Sequence, residues 1–266
     1  PSVLHSAKLL SEAVQIDTTV GDNIPDTDDW AEYWDSIFSP FADWIQTSFP
    51  HMHDTASPVR RELVNKHGLL YTWPGSDPTL KPIVLMSHQD VVPVANETLD
   101  QWIHPPFSGH IDIENQTVWG RGSVDCKLWL VSTISAVETL VKSDFKPKRT
   151  IILSIGHDEE SDGKHGAQHL SAELEKRFGR GGIGMIVDEG TPLLSSGDPG
   201  SYGVPIAVPA VAERGAMNMK ITITSRGGHS SMPPPHTSIG IMSLIIAKLE
   251  AHPFPDVLGD ESSASI

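Results

Sequence analysis

Three short, mostly apolar runs stand out along the middle of the chain: Ile83 to Met86 just after a proline, Ile151 to Ile155, and Ile183 to Val187. Runs of this length and character suit strands buried on both faces. Between the first two lies CKLWLVSTISAVETLVK, Cys126 to Lys142, with apolar residues at helical spacing. It predicts a helix, and Asp125 sits just ahead of it, where a side-chain oxygen can cap free backbone N–H groups. Strands alternating with helices imply an α/β domain with a mostly parallel sheet flanked by helices. Leu4 to Phe49 reads as mainly helical, interrupted by the Asp-rich stretch GDNIPDTDD. Its residues favour turns, and it reads as a solvated loop.

The texture changes around Tyr202 to Val211, where small residues, prolines and glycines gather. MNMKITITS then alternates as a half-buried strand should. RGGHSSMPPP is a turn-rich loop, and Thr237 to Ala251 reads as a helix. The pattern divides the chain into a first domain over 1–210 and the start of a smaller α+β domain over 211–266.

A length of 266 residues is enough for one large domain, or one domain and part of a second. A formal charge of −15 argues against non-specific binding to nucleic acid or anionic lipid. The single cysteine, Cys126, excludes an intrachain disulfide. No apolar run approaches a membrane span, and PSVLHSAKLL lacks the charged-then-apolar pattern of a signal peptide. The chain opens on Pro1, so the true start is expected to lie upstream. Asn96-Glu97-Thr98 and Asn115-Gln116-Thr117 are glycosylation sequons, which matter only on the secretory route.

The apolar runs also deliver the chemistry. The first leads to His88 and Asp90, the second to Asp158, Glu159 and Glu160, and the third to Asp188 and Glu189. In open α/β sheets, sites form outside the carboxyl ends of the strands. Asp125, at the start of a packed helix, can reach the same edge. One imidazole and several carboxylates at one edge would repel one another unless cations neutralised them. The mixture of nitrogen and oxygen donors favours zinc over magnesium or calcium. In HQD, residues two apart share a face, so Asp90 can accept a hydrogen bond from the far nitrogen of His88 and fix its tautomer.

The stretches VLMSHQDVVPV, WIHPPFSGHID, VWGRGSVDCK, KRTIILSIGHDEESDGKHGA, MIVDEG and SRGGHSSMPPPHTSIGI carry a resemblance. Together they resemble peptidase family M twenty, the di-zinc metallopeptidases related to carboxypeptidase S, glycine-X carboxypeptidase and aminoacylase, and in particular its fungal vacuolar branch. The resemblance implies a phosphorylase/hydrolase-like catalytic domain and a lid or dimerisation domain. It implies that His88 and Asp188 bind one metal, Asp125 bridges two, and Glu160 binds the second. Glu159 becomes the general base, Asp90 the residue that orients His88, and the Asp125-Cys126 peptide bond cis. Cys126 then packs beside the site. His229, in the second domain, is expected to stabilise the oxyanion, often at a partner subunit's site, so a homodimer through the lid is implied. Arg214 is a candidate for attracting a substrate carboxylate. His104, His110, His157 and His165 read as structural or surface residues.

The implied activity is hydrolysis of peptide or N-acyl amino-acid amide bonds, and the implied location a vacuole or the secretory pathway. Members of the family are longer, and a histidine on the Glu160 metal comes from a later segment. This chain by itself is therefore expected to bind one ion well and the second poorly, with little activity. Its alternative reading is a catalytically silent metal-binding fragment. Trp129 stands where the family more often has a smaller or polar residue.

Overall fold

A computed structural model describes residues 2–21, 31–190, 193–197, 201–207, 209–211 and 217–253. Most of GDNIPDTDD, and Arg214, lie outside the described residues. The chain forms two compact units, residues 1–189 and 190–266.

The first unit opens with α1 (Val3–Gln15), whose first turn is capped by the Ser2 side chain accepting the His5 N–H. Leu9, Leu10, Ala13 and Val14 recur at helical spacing and are buried. Helix α2 (Ala31–Ser48) and the single turn α3 (Pro50–His53) follow. Then come β1 (Arg60–Val64), β2 (Gly68–Trp73) and β3 (Ile83–His88). A small hairpin of β4 (His110–Asp112) and β5 (Thr117–Trp119) precedes α4 (Lys127–Lys142). The unit ends with β6 (Ile151–Gly156), α5 (Ala167–Phe178) and β7 (Met185–Val187).

Five strands make one mixed sheet in the order β1-β2-β6-β3-β7. The three apolar runs become its parallel part, with β3 between β6 and β7. Alternate side chains serve two cores, as a period of two requires. Leu69, Tyr71, Trp73, Leu153 and Ile155 face a cluster built with α1, α2 and α4, including Phe41, Ile45, Leu130 and Ile134. Leu70, Val84 and Ile152 face the opposite way, onto Leu170 and Leu174 of α5.

Burial on both faces holds for β6 but not for β7, where Met185 is 52% and Ile186 55% exposed. That strand is an edge with one paired neighbour, so part of its apolar surface is uncovered among the described residues. The antiparallel hairpin of β1 and β2 has no counterpart among the elements the sequence pattern predicts. GLLYTW is almost continuously buried because it lies between β1 and β6, whereas charged RRELV forms the opposite edge.

Beneath the sheet's C-terminal edge, His157 is buried among Trp34, Phe38 and His67, with ring centroids 5.2, 5.3 and 5.6 Å away. Burial, reinforced by the neighbouring histidines, pushes its pKa down to about 3. The unfolded chain therefore takes up a proton near pH 6.5 that the folded chain refuses until about pH 3. Stability is expected to fall as pH drops through 6.5, by about 2 kcal/mol at pH 5 from this group alone. Denaturant titrations of the native chain and His157→Asn at pH 7.5 and 5 check this. An equal acid loss in both proteins would contradict it.

In the second unit, α6 (Ser238–Glu250) matches the helix expected at 237–251, with Thr237 Oγ1 accepting the Gly240 N–H at 3.1 Å. The strand expected in MNMKITITS does not form among the described residues. Alternation alone does not make a strand, which needs a hydrogen-bonded neighbour.

Candidate metal centre

Because β6, β3 and β7 are parallel neighbours, their C-terminal ends open on one edge of the sheet. His88 closes β3 and is buried. Its Nε2 lies 3.0 Å from Asp125 Oδ1, 3.4 Å from Glu189 Oε2 and 3.9 Å from Glu159 Oε2. Donor atoms of His88, Glu159 and Glu160 lie within 4.8 Å of one another, and so do those of His88, Cys126 and Glu189.

Each side chain is presented by a local device. Glu159 and Glu160 lie on a 3-10 turn, Glu159–Ser161, immediately after β6. Asp125 follows the tight GRGSV turn, in which the Lys127 N–H donates to Gly122 O at 3.0 Å. Gly122 has φ +80°, and a Cβ there would run into Val91 Cγ1, so the turn requires glycine. The Asp125-Cys126 peptide bond is cis, as the resemblance implied. Cys126 is buried, and its Sγ accepts the His88 N–H at 3.3 Å. Burial holds its pKa above the usual thiol value, which fits a packing residue.

Asp125 does not cap α4. The cap residue is Cys126, with no side-chain cap bond, and the Asp125 carboxylate turns to His88 instead. Asp158 also leaves the cluster. Its carboxylate accepts the His165 and Gly166 N–H groups at 2.6 and 2.7 Å, just ahead of α5.

Asp90 lies under His88, with its carboxylate Oδ1 3.2 Å from Nδ1. The hydrogen bond itself goes to the Asp90 main-chain oxygen, which accepts from Nδ1 at 2.9 Å. That contact leaves Nε2 to face the carboxylates. Asp90 Oδ2 accepts the Glu160 N–H at 3.0 Å, so one buried residue ties the end of β3 to the loop after β6.

Crowded carboxylates raise each other's proton affinity. Burial and then the Asp125 charge push Glu160 up to about 7. Burial, with Glu189, Asp90 and Asp125 nearby, raises Glu159 despite the opposing pull of His88. Burial alone would lower His88, but the side chains of Asp90, Cys126 and Glu189 beside it outweigh that and raise it. Glu189 is lowered, chiefly by its hydrogen bond to His88. One imidazole among several carboxylates is a donor set that fits a divalent transition-metal ion.

His88, Asp125, Glu159 and Glu160 are brought together, with Asp90 supporting them. At the end of β7, the contact with His88 runs through Glu189, while Asp188 Oδ1 accepts the Glu189 N–H at 2.9 Å. Both acids end the same apolar run, so spacing alone left the choice between them open. His229 belongs to the second unit, where Ser231 engages its Nδ1, with Oγ 2.7 Å and the N–H 3.2 Å away. His104 and His110 stack on each other at 3.8 Å, outside the cluster.

Fold and site together define an α/β metallopeptidase domain. The chain belongs to peptidase family M20/M25/M40, whose profile matches residues 84–256. It is 46% identical over 249 residues to carboxypeptidase S of Saccharomyces cerevisiae, a match covering 94% of this chain and 42% of that protein. It is 39% identical over 225 residues to the N-fatty-acyl-amino acid synthase/hydrolase of Mus musculus, covering 84% and 43%. The chain thus spans less than half the length of these relatives. Human carnosine dipeptidase 1 shares the fold, with a TM-score of 0.52 at 21% identity over 70% of this chain and 38% of that one. Among the described residues, no helix is long and apolar enough to cross a membrane.

Proposed function

We propose that this chain supplies the metal-binding catalytic part of a hydrolase that cuts peptide or N-acyl amino-acid amide bonds beside a free carboxylate. The observation that carries this reading is His88 Nε2 surrounded by carboxylates at the C-terminal edge of three parallel strands. His88, Asp125, Glu160 and the acidic pair Asp188-Glu189 are the residues to hold the ions, and zinc is the ion the donor set favours. A bound divalent ion supplies Lewis-acid polarisation of the amide carbonyl and lowers the pKa of water. Glu159, half-exposed and raised in pKa, takes a proton from the water whose oxygen attacks the amide carbonyl and hands it to the amine that leaves as the C–N bond breaks. Asp90 holds the His88 tautomer and the Glu160 backbone during this exchange. His229, with pairing of two copies through the second unit, supplies oxyanion stabilisation by analogy with the family.

Relatives of both kinds, a carboxypeptidase and an N-fatty-acyl-amino acid hydrolase, support a substrate with a free carboxylate. The exposed sequons at Asn96 and Asn115 accord with a vacuolar or secretory location.

The test begins with chain stripped of metal by a chelator. Zinc or cobalt is added back, bound ions are counted, and dipeptides are compared with N-acyl amino acids as substrates. Weak, metal-dependent cleavage with one ion held tightly is the expected result, and the preferred substrate separates carboxypeptidase from aminoacylase. A chain that retains neither ion has no such centre.

A further inference from the structure

Two side chains in the first turn of α4 make long-range hydrogen bonds to main-chain carbonyls of other elements. Lys127, the first residue of α4, is completely buried. Its Nζ donates to Ala13 O at 2.9 Å and Ile16 O at 2.7 Å and lies 5.1 Å from the Phe41 ring centroid. Those carbonyls belong to the end of α1, whose last turn has no basic residue of its own. The lysine nitrogen therefore satisfies helix-terminal acceptors from another element.

Trp129, two residues on, donates its indole N–H to Met86 O at 2.7 Å. Met86 lies two residues before His88 on β3. Gln89 N–H donates to Gly156 O on the β6 side, and Pro82 O accepts Gly184 N–H on the β7 side. Even-numbered carbonyls of β3 therefore face β7, whose pairing with β3 ends at Leu85. The Trp129 indole engages this edge directly beyond the last paired residue.

We propose that Lys127 and Trp129 are positioning residues that hold Asp125 opposite His88, so that the two face each other before an ion arrives. This rests on the metal-centre reading above. Trp129 ties the helix that follows Asp125 to the strand that ends in His88. Lys127 anchors the same first turn to α1, and its own N–H closes the turn onto Gly122 O. Burying a lysine nitrogen is costly, and an apolar side chain would fill the space. The nitrogen adds direction, because its two carbonyl acceptors are fixed points at the end of another helix. Residues that orient ligands without touching the metal typically govern affinity by about 10–100-fold.

The test uses cobalt alone as the probe, on the full 266-residue chain. Trp129→Phe keeps an aromatic ring and removes the donor, and Lys127→Met keeps the length and removes the charge. Leu174→Ala, in the core on the opposite sheet face, controls for general loss of stability. Affinity is read by chelator competition, and geometry by the visible spectrum at saturating cobalt. The expected result is at least about tenfold weaker binding and an altered spectrum in Trp129→Phe and Lys127→Met. Leu174→Ala is expected to lower the melting temperature and leave both readouts unchanged. Should Lys127→Met fail to fold, Trp129→Phe decides alone. Wild-type affinity and spectrum in the positioning variants, or the same changes in Leu174→Ala, would overturn the inference. Absence of cobalt binding by the wild-type chain would instead overturn the metal-centre reading beneath it.

Discussion

Replacing Glu159 by glutamine should leave metal content unchanged and lower hydrolysis by about 10²- to 10⁴-fold, the usual contribution of a positioned general base. Glutamine matches the shape of glutamate but cannot accept and release a proton at that oxygen. Glu159 is suited to the task because it is half-exposed, reachable by water, and 3.9 Å from His88 Nε2. Its pKa is raised by burial and by the acids around it, which brings it towards the pH at which proton transfer is easiest. The measurement is the turnover of a dipeptide or N-acyl amino acid at saturating zinc, with bound ions counted in parallel. Full activity in Glu159→Gln would remove it from the mechanism. Lost activity together with lost metal would make it a ligand instead.

The second large effect concerns the fold. Phe41 is wholly buried, in the cluster that joins α1, α2 and α4 to the sheet. Phe41→Ala should cost about 3–5 kcal/mol, from lost transfer energy and the cavity left behind. For a unit of this size that corresponds to a drop in melting temperature on the order of 10 °C. The ring also lies 5.1 Å from Lys127 Nζ, so the change should weaken the anchoring of α4 as well. Combining it with Lys127→Met should give less than the sum of the single losses, because residues in contact are coupled. A loss below about 1 kcal/mol would mean that the cluster collapses around the gap, and that this face of the sheet is not the main core.

The parallel strands were readable because interior strands need apolar residues on both sides, as Val84, Ile152 and Leu153 illustrate. The α4 helix was readable because its buried face recurs at helical spacing through Leu130, Ile134 and Val137. The β1–β2 hairpin was not, since RRELV has no apolar stripe and forms a strand by pairing with its neighbour. The alternation in MNMKITITS misled for the converse reason: it is a pattern without a described partner.

Within the site, the order His88, Asp125, Glu159, Glu160 and the acidic pair after β7 could be read along the chain, because each follows a strand end or opens a helix. Which acid faces inward could not. Asp158 and Glu159 are adjacent, yet one turns to the backbone ahead of α5 and the other to His88. Nothing in the sequence around Trp129 points to Met86 O, the acceptor of its indole N–H.

The linear order of apolar runs was enough to determine the α/β class, and the acidic and imidazole residues that follow them pointed to one sheet edge, because strand burial is a property of local composition. Tertiary structure alone decided that Glu189 contacts His88, that Asp90 joins the end of β3 to the loop after β6, and that the buried Lys127 spans α4 and α1. Those facts depend on directions of side chains and carbonyls brought together from distant parts of the chain, and no residue's neighbours in sequence specify such directions.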